Sequence, residues 1–189
     1  SWETARGCPF LCAFCDQGLD DTKMVRFSVD RIKQELTYVA ERVAGLNGMH
    51  TIAFHDSNWG MYKEDLAVAE HLKLLIDKYD WPKWIEGSTP KNRRERIFAI
   101  DERLGNRVGI ALSQQSMNRT TLAEIKRDNY SNEQYLEFVK ELQKRGKSPV
   151  CELIIPLPGE TETTYRSSVR VLLNEGVNVG TYTLMMLQG

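Results

Sequence analysis

Cys8, Cys12 and Cys15 fall within eight residues, in the opening run Ser-Trp-Glu-Thr-Ala-Arg-Gly-Cys-Pro-Phe-Leu-Cys-Ala-Phe-Cys. The fourth cysteine, Cys151, stands alone far downstream. A secreted disulfide framework spreads its cysteines and pairs them, whereas one tight C-x3-C-x2-C cluster reads as a metal site. Three thiolates on one looped segment can wrap one side of a metal centre. Iron–sulfur proteins usually close the set with a fourth cysteine. A set of three leaves one position open to a small molecule, which is the logic of a catalytic centre rather than a structural one. Pro9, Phe10 and Phe14 would shield such a centre from water and tune its potential. The competing reading is a zinc-stabilised, non-catalytic binding module with a Cys3His site drawn from His50, His55 or His71. Structural zinc usually pairs two short-spaced hooks, and this sequence has no second hook.

Other polar residues stand where apolar strands end. Asp56-Ser57-Asn58 follows the run His50 to His55, and turn formation alone would also explain it. Ser88 closes Trp84-Ile85-Glu86-Gly87-Ser88. Ser113-Gln114-Gln115-Ser116 closes Arg107 to Ser113, and four polar side chains in a row exceed what core packing needs, although helix capping accounts for some of them. Glu152 lies inside an apolar strand, where a carboxylate is costly unless paired or at a site. It is expected to face a site; the alternative is an outward-facing strand position. Cys151 beside it reads as core. His55 reads as a structural hydrogen-bonding residue, and the charge run Lys91 to Arg96 as a solvated helix.

These positions are held by a repeated rhythm of short apolar run, loop and amphipathic helix. Ile32, Leu36, Val39 and Val43 give a helix over Ser28 to Ala44, with Ser28 as N-cap and Gly45 past its end. Further helices are expected over Lys63–Lys78, Asn92–Leu104 (opened by Thr89-Pro90), Thr120–Arg127, Asn132–Arg145 and Glu162–Asn174. Strands are expected at Trp2-Glu3-Thr4, His50–His55, Trp84–Ser88, Arg107–Ser113, Val150–Ile155 and Asn178–Leu187. The fifth stops at Pro156-Leu157-Pro158-Gly159, where two prolines remove backbone donors. Strands alternating with helices imply parallel βαβ units, in an open doubly wound sheet or a barrel. No GxGxxG follows a strand, so a dinucleotide-type open sheet has no support. The chain begins almost at the cysteines and ends in or just after a strand, so residues 1–189 read as one core domain cut from a longer polypeptide.

The triad Cys8, Cys12 and Cys15, with the aromatic Phe14 directly before the last cysteine, resembles the radical S-adenosylmethionine (radical SAM) superfamily. That resemblance implies an α/β fold, a partial (β/α)6 TIM-like barrel of parallel strands with the cysteine loop after strand one. It implies a 4Fe–4S cluster on the three cysteines, with the amino and carboxylate groups of S-adenosylmethionine on the open iron. It also implies reductive cleavage of that molecule to a 5'-deoxyadenosyl radical that abstracts a substrate hydrogen. In relatives, residues after strand two receive the amino group, which puts Asp56, Ser57 and Asn58 in that role. This loop departs from the Gly-Gly-Glu type and is similar to an Asp-x-Asn-aromatic variant. In relatives the residues ending strand four serve the ribose hydroxyls or the carboxylate, which implicates Ser113 and Gln114; Ser88 at the end of strand three and Glu152 in strand five are expected to join them at the cofactor. The turn Pro156-Leu157-Pro158-Gly159-Glu160-Thr161 resembles a Gly-Leu-Pro-Gly-Glu-Thr turn whose backbone lies near the adenine, which implicates Leu157; Pro156 replaces the first glycine. Thr161 also reads as a helix cap, and Thr183 to Leu187 as apolar packing. The loop Asp56 to Gly60 and the segment Ser116 to Arg127 are similar to the branch with an N-terminal cobalamin-binding domain. That implies a methyltransferase or cyclase-type parent that uses cobalamin through a domain outside this segment. An electron donor such as flavodoxin or ferredoxin and a substrate of unknown identity complete the expected partners.

Composition agrees with an enzyme core. The 189 residues are 41% hydrophobic and 27% charged, enough to bury a core. Charges nearly cancel, at net −1, so no nucleic-acid partner is expected. No apolar run reaches the roughly 18 residues of a membrane span, and no signal-like segment opens the sequence, which makes a cytoplasmic location the default expectation.

Overall fold

The computed structural model describes residues 1–18, 24–48 and 50–185. The chain divides into two compact units. The first is built from Ser1–Gly7 and Met24–Ile110, the second from Cys8–Lys23 and Ala111–Gly189.

In the first unit β1 (Ala5–Arg6) pairs antiparallel with β2 (Val25–Arg26). Helix α1 (Val29–Val43) buries Ile32, Leu36 and Ala40; of the expected stripe Ile32 and Leu36 are buried, whereas Val39 and Val43 are half-buried and Ala40 takes the inward position. Ser28 is its N-cap residue but makes no side-chain cap bond. β3 (Thr51–Phe54) runs parallel to β4 (Trp84–Gly87), with α2 (Glu64–Tyr79) between them as the crossover. Val68, Ala69, Leu72, Leu75 and Ile76 of α2 are buried with Ile52, Phe54 and Ile85. α3 (Arg94–Arg103) adds Ile97 and Ile100. It starts after the left-handed Arg93, so Thr89-Pro90 lies in the preceding loop and does not open the helix. Trp59 stacks on Phe54 with ring centroids 4.5 Å apart. A Cβ at Gly87 would make ordinary contacts with this pair, 3.4 Å from the Phe54 carbonyl oxygen and 3.6 Å from the Trp59 ring.

In the second unit α4 (Arg119–Glu124), α5 (Asn132–Lys144) and α6 (Glu162–Asn174) accompany β5 (Val150–Ile155) and β6 (Asn178–Thr183). β5 and β6 are parallel, in register from Val150–Asn178 to Ile155–Thr183. Ser131 and Gln134 form a capping box on α5, and Thr161 and Thr164 one on α6. Thr161 therefore is the cap read from the sequence. Tyr135, Phe138, Val139, Leu142, Cys151, Leu153 and Leu172 are buried in this unit, which places Cys151 in the core.

Two strand expectations need correction. Trp2 bridges Phe54 in parallel, but the regular pairing falls on Ala5–Arg6 and is antiparallel. Arg107–Ser113 is not a continuous strand: Val108 bridges Ile85, while Ala111 and Gln115 bridge Val150 and Leu153. The Val108 amide donates to Asp101 Oδ1 at 3.0 Å, and Gln115 has a left-handed φ of 65°. A regular ladder accommodates neither. The expected sixth strand ends at Thr183; its last two residues, Met186 and Leu187, lie outside the described residues. No helix among the described residues is long and apolar enough to cross a membrane.

Asp65 opens α2 and is 1% exposed. Its Oδ2 accepts from Gly60 N–H at 2.9 Å and Tyr62 N–H at 3.0 Å, and Arg26 Nη2 lies 3.6 Å from Oδ1. Burial raises its pKa to about 6 against these bonds and Arg26, and Asp56 adds to the rise. The folded state thus keeps this proton to a higher pH than the unfolded chain does. Stability should fall by on the order of 3 kcal/mol as pH rises from about 4 to about 6, then stay flat. Denaturant unfolding across that range should show this slope, and Asp65→Asn should flatten it; an unchanged slope in the variant contradicts the assignment.

Candidate functional site

The cysteine loop belongs to the second unit and is anchored by backbone, apolar and cationic contacts. Ala13 N–H donates to the Ile125 carbonyl at 2.9 Å, and Cys15 N–H to the Cys12 carbonyl at 3.1 Å. Phe14 packs on a buried cluster of Leu122, Ile125 and Leu157, joined by Ile154 and Leu184. The side chain of Leu157 is therefore committed beside Phe14. Gly159 follows it with φ 76°, where a Cβ would meet Glu124 at 3.4 Å and Thr121 at 3.7 Å.

Arg127 ties this loop to the strand ends. Its Nη1 donates to Cys12 Sγ at 3.7 Å, its Nη2 to the Ser113 carbonyl, and its guanidinium lies 6.0 Å from the Phe14 ring centre. The turn that aims it is local. α4 stops at Glu124, Lys126 takes a left-handed φ of 51°, and the Arg127 amide closes back on the Leu122 carbonyl at 2.9 Å. Sequence reasoning named Arg127 only as the end of a segment; nothing in its spacing announces a partner 115 residues away.

The expected polar residues of this unit gather on the same face. The Ser113 hydroxyl donates to Glu152 Oε2, and Tyr182 reaches Glu152 Oε1 at 3.5 Å. Glu152 is thus a paired carboxylate inside its strand. Gln114 is 4% exposed; its carbonyl accepts from Asn129 Nδ2 at 2.7 Å. Gln114 Nε2, Arg127 Nε and Asn129 Oδ1 are buried with no hydrogen-bond partner among the described residues. Ser116 donates to Glu160, which also accepts from Thr164, so these residues brace the turn before α6.

The remaining expected residues, Asp56, Ser57, Asn58 and Ser88, belong to the first unit. The Trp59 amide after Asn58 donates to the Ser88 carbonyl at 2.9 Å, so these strand ends adjoin. Asp56 is 3% exposed and its carboxylate is already engaged. Thr4 N–H reaches its two oxygens at 3.1 and 2.9 Å, Ala5 N–H reaches Oδ1 at 2.6 Å, and the Thr4 hydroxyl donates to Oδ1 as well. Asp56 therefore fixes the segment that runs into the cysteine loop. Burial pushes its pKa up, and the bonds from Thr4 and Ala5 oppose that rise.

None of the three cysteines is in a disulfide; Cys12 is buried and Cys8 and Cys15 are half-buried. Burial raises the Cys15 pKa, opposed by a backbone bond from Gln17 and reinforced by Cys8, Asp16 and Cys12. Among the described residues, no three His, Cys, Asp or Glu side chains close on a single-ion site. His71 Nε2 is bonded to the Thr37 hydroxyl at 2.7 Å. A zinc ion needs its ligands drawn to about 2.3 Å from one centre, whereas an iron–sulfur cluster takes each thiolate at a separate iron. Three thiols on one loop, with a cation on one sulfur and orphaned polar atoms nearby, fit the cluster and a polar ligand beside it.

Residues 2–172 match the Radical SAM superfamily, and the chain belongs to that superfamily. It is 31% identical over 179 residues to the 2-(S-pantetheinyl)-carbapenam-3-carboxylate methyltransferase of Streptantibioticus cattleyicolor. It is 28% identical to the cobalamin-dependent radical SAM methyltransferase TokK of Streptomyces tokunonensis. Both alignments cover 93% of this chain and 26% of the relative, so the chain spans about a quarter of their length. The structure of the radical S-adenosylmethionine methyltransferase TsrM from Kitasatospora setae, with cobalamin and a [4Fe-4S] cluster bound, superposes with a TM-score of 0.76 at 17% identity. That superposition covers 96% of this chain and 33% of TsrM, and it shows a shared fold. Superfamily membership carries the 4Fe–4S cluster and S-adenosylmethionine as cofactors.

Arg127 should raise the reduction potential of that cluster, because a donor and a positive charge at a ligating sulfur stabilise the more negative reduced state. Arg127→Met should lower the midpoint by on the order of tens of millivolts. Arg127→Lys should recover part of that loss. A spectroelectrochemical titration finding the three proteins identical would remove Arg127 from this role.

Proposed function

We propose that this chain is the catalytic core of a cobalamin-dependent radical SAM methyltransferase, closed as a partial (β/α)6 barrel. The observation that carries the reading is the triad Cys8, Cys12 and Cys15 on one loop, outside any disulfide and held through Cys12 and Phe14 by Arg127 and the Leu122–Ile125–Leu157 cluster. Its likeness to TokK and to the carbapenam methyltransferase supports the choice of methyl transfer and of cobalamin, which would sit in a domain outside this segment. Cys8, Cys12 and Cys15 would hold a 4Fe–4S cluster, which when bound and reduced would supply one electron for cleavage of S-adenosylmethionine.

The three cysteines hold the cluster and leave one iron for the ligand. Glu152 accepts hydrogen bonds from the ribose hydroxyls, with Ser113 fixing its carboxylate. Gln114 offers the buried amide donor of Nε2 to the same molecule. Asp56 acts by holding Thr4 and Ala5, the residues that lead into the cysteine loop. Phe14 and Leu157 exclude water from the cysteine loop. The substrate remains a small molecule or other group chosen outside this core.

Anaerobic reconstitution tests the proposal. The protein should take up about four irons and four sulfides, and Cys12→Ala should lose most of that content. The reduced electron paramagnetic resonance signal should change when S-adenosylmethionine is added. Stoichiometric zinc with no iron–sulfur chromophore would instead indicate the metal-stapled binding module and overturn the proposal.

A further inference from the structure

We propose that the basic face formed by Arg119, Lys126 and Arg127 is the docking surface for an acidic electron-carrier protein, of the flavodoxin or ferredoxin class. The inference rests on the reading that Cys8, Cys12 and Cys15 hold an iron–sulfur cluster, and it adds where the electron enters.

A cavity of about 540 Å³ opens on the second unit between the end of α4 and the start of α5. Arg119, Lys126, Arg127, Asp128, Asn129 and Asn132 are among its lining residues. Three cations thus face one lining carboxylate, Asp128. Glu133 lies at the rim, close enough to Arg119 to be stabilised by its charge. In a chain whose net charge is −1, this is a local positive field.

The position of this field matters more than its size. Arg119 and Lys126 are exposed, whereas Arg127 is half-buried. Arg127 lines the cavity while its Nη1 rests 3.7 Å from Cys12 Sγ. A single side chain therefore separates the solvent-facing cations from a cluster ligand. A carrier seated on this face would have its redox centre opposite Cys12. One electron leaves the reduced carrier and one enters the cluster, and no bond forms or breaks in that transfer. Two exposed cations, Arg119 and Lys126, line the cavity together with the half-buried Arg127. That geometry suits the acidic rim of a protein, because opposed charged surfaces raise the encounter rate before close contact is made.

The test uses the reconstituted protein and two charge reversals, Arg119→Glu and the double variant Arg119→Glu/Lys126→Glu. Neither residue is placed in the cofactor site. Cluster bleaching is followed by stopped flow, with fully reduced flavodoxin as donor and with dithionite as a small-molecule control. The double variant should be reduced by flavodoxin about tenfold more slowly at low ionic strength, and the single variant by an intermediate factor. The difference should shrink as salt is raised to about 0.5 M. Dithionite rates and the paramagnetic spectrum should match those of the parent protein. Equal flavodoxin rates for all three proteins at every salt concentration would overturn the docking surface while leaving the cluster reading intact. Slowing by millimolar phosphate at constant ionic strength, without any effect of charge reversal on flavodoxin, would mark a small-anion site and also overturn it. Failure of all three proteins to assemble a cluster would overturn the functional reading itself.

Discussion

The contact between Arg127 and Cys12 is the constraint on which the site depends. Three thiolates within eight residues repel one another, and a loop with no regular structure cannot hold them apart unaided. Here the loop is gripped from three sides: a backbone bond from Ala13 to Ile125, the Phe14 ring in an apolar cluster, and a guanidinium on the Cys12 sulfur. The Ile125 carbonyl, the Leu122 and Ile125 side chains and Arg127 all come from α4 or the turn that ends it, and Leu157 completes the apolar cluster. The short helix is therefore less a packing element than a mount for the cysteines. Its left-handed Lys126 turns Arg127 inward, and Gly159 takes the left-handed backbone of the turn that lies beside its Thr121–Glu124 stretch.

Buried carboxylates do the complementary work on polar backbone. Asp56 gathers the amides of Thr4 and Ala5, just before the cysteine loop begins. Asp65 gathers those of Gly60 and Tyr62. Both pKa values are raised by burial, and both groups are kept in place by donors that favour the charged form. Glu152 differs because its partners are hydroxyls, from Ser113 and Tyr182. Hydroxyls rotate and can be exchanged for those of a ligand, whereas amides fixed in a backbone cannot. That contrast separates a carboxylate that holds the fold from one suited to binding.

Local chemistry was readable from the residues alone. The cysteine spacing, the Ile32 and Leu36 positions of α1 and the Thr161 cap each depend on neighbours within a few positions, and each was legible for that reason. The fold class was also legible, because alternating strands and helices restrict topology. What sequence did not disclose depends on long-range pairing. Asp56 reads as a strand-end acceptor until Thr4, 52 residues earlier, is seen to fill it. Arg127 reads as one charge among many until its sulfur partner is known. The irregular stretch Arg107–Ser113 reads as a strand because its apolar pattern is right, while a side chain from Asp101 takes the Val108 amide.

The central claim is that three cysteines hold a cluster and leave one iron for a ligand. Mössbauer spectroscopy of the protein loaded with iron-57 tests it most directly. The account predicts that S-adenosylmethionine shifts the signal of one iron in four and leaves the other three in place. Four irons that ignore the ligand, or the absence of a cubane spectrum, would contradict it.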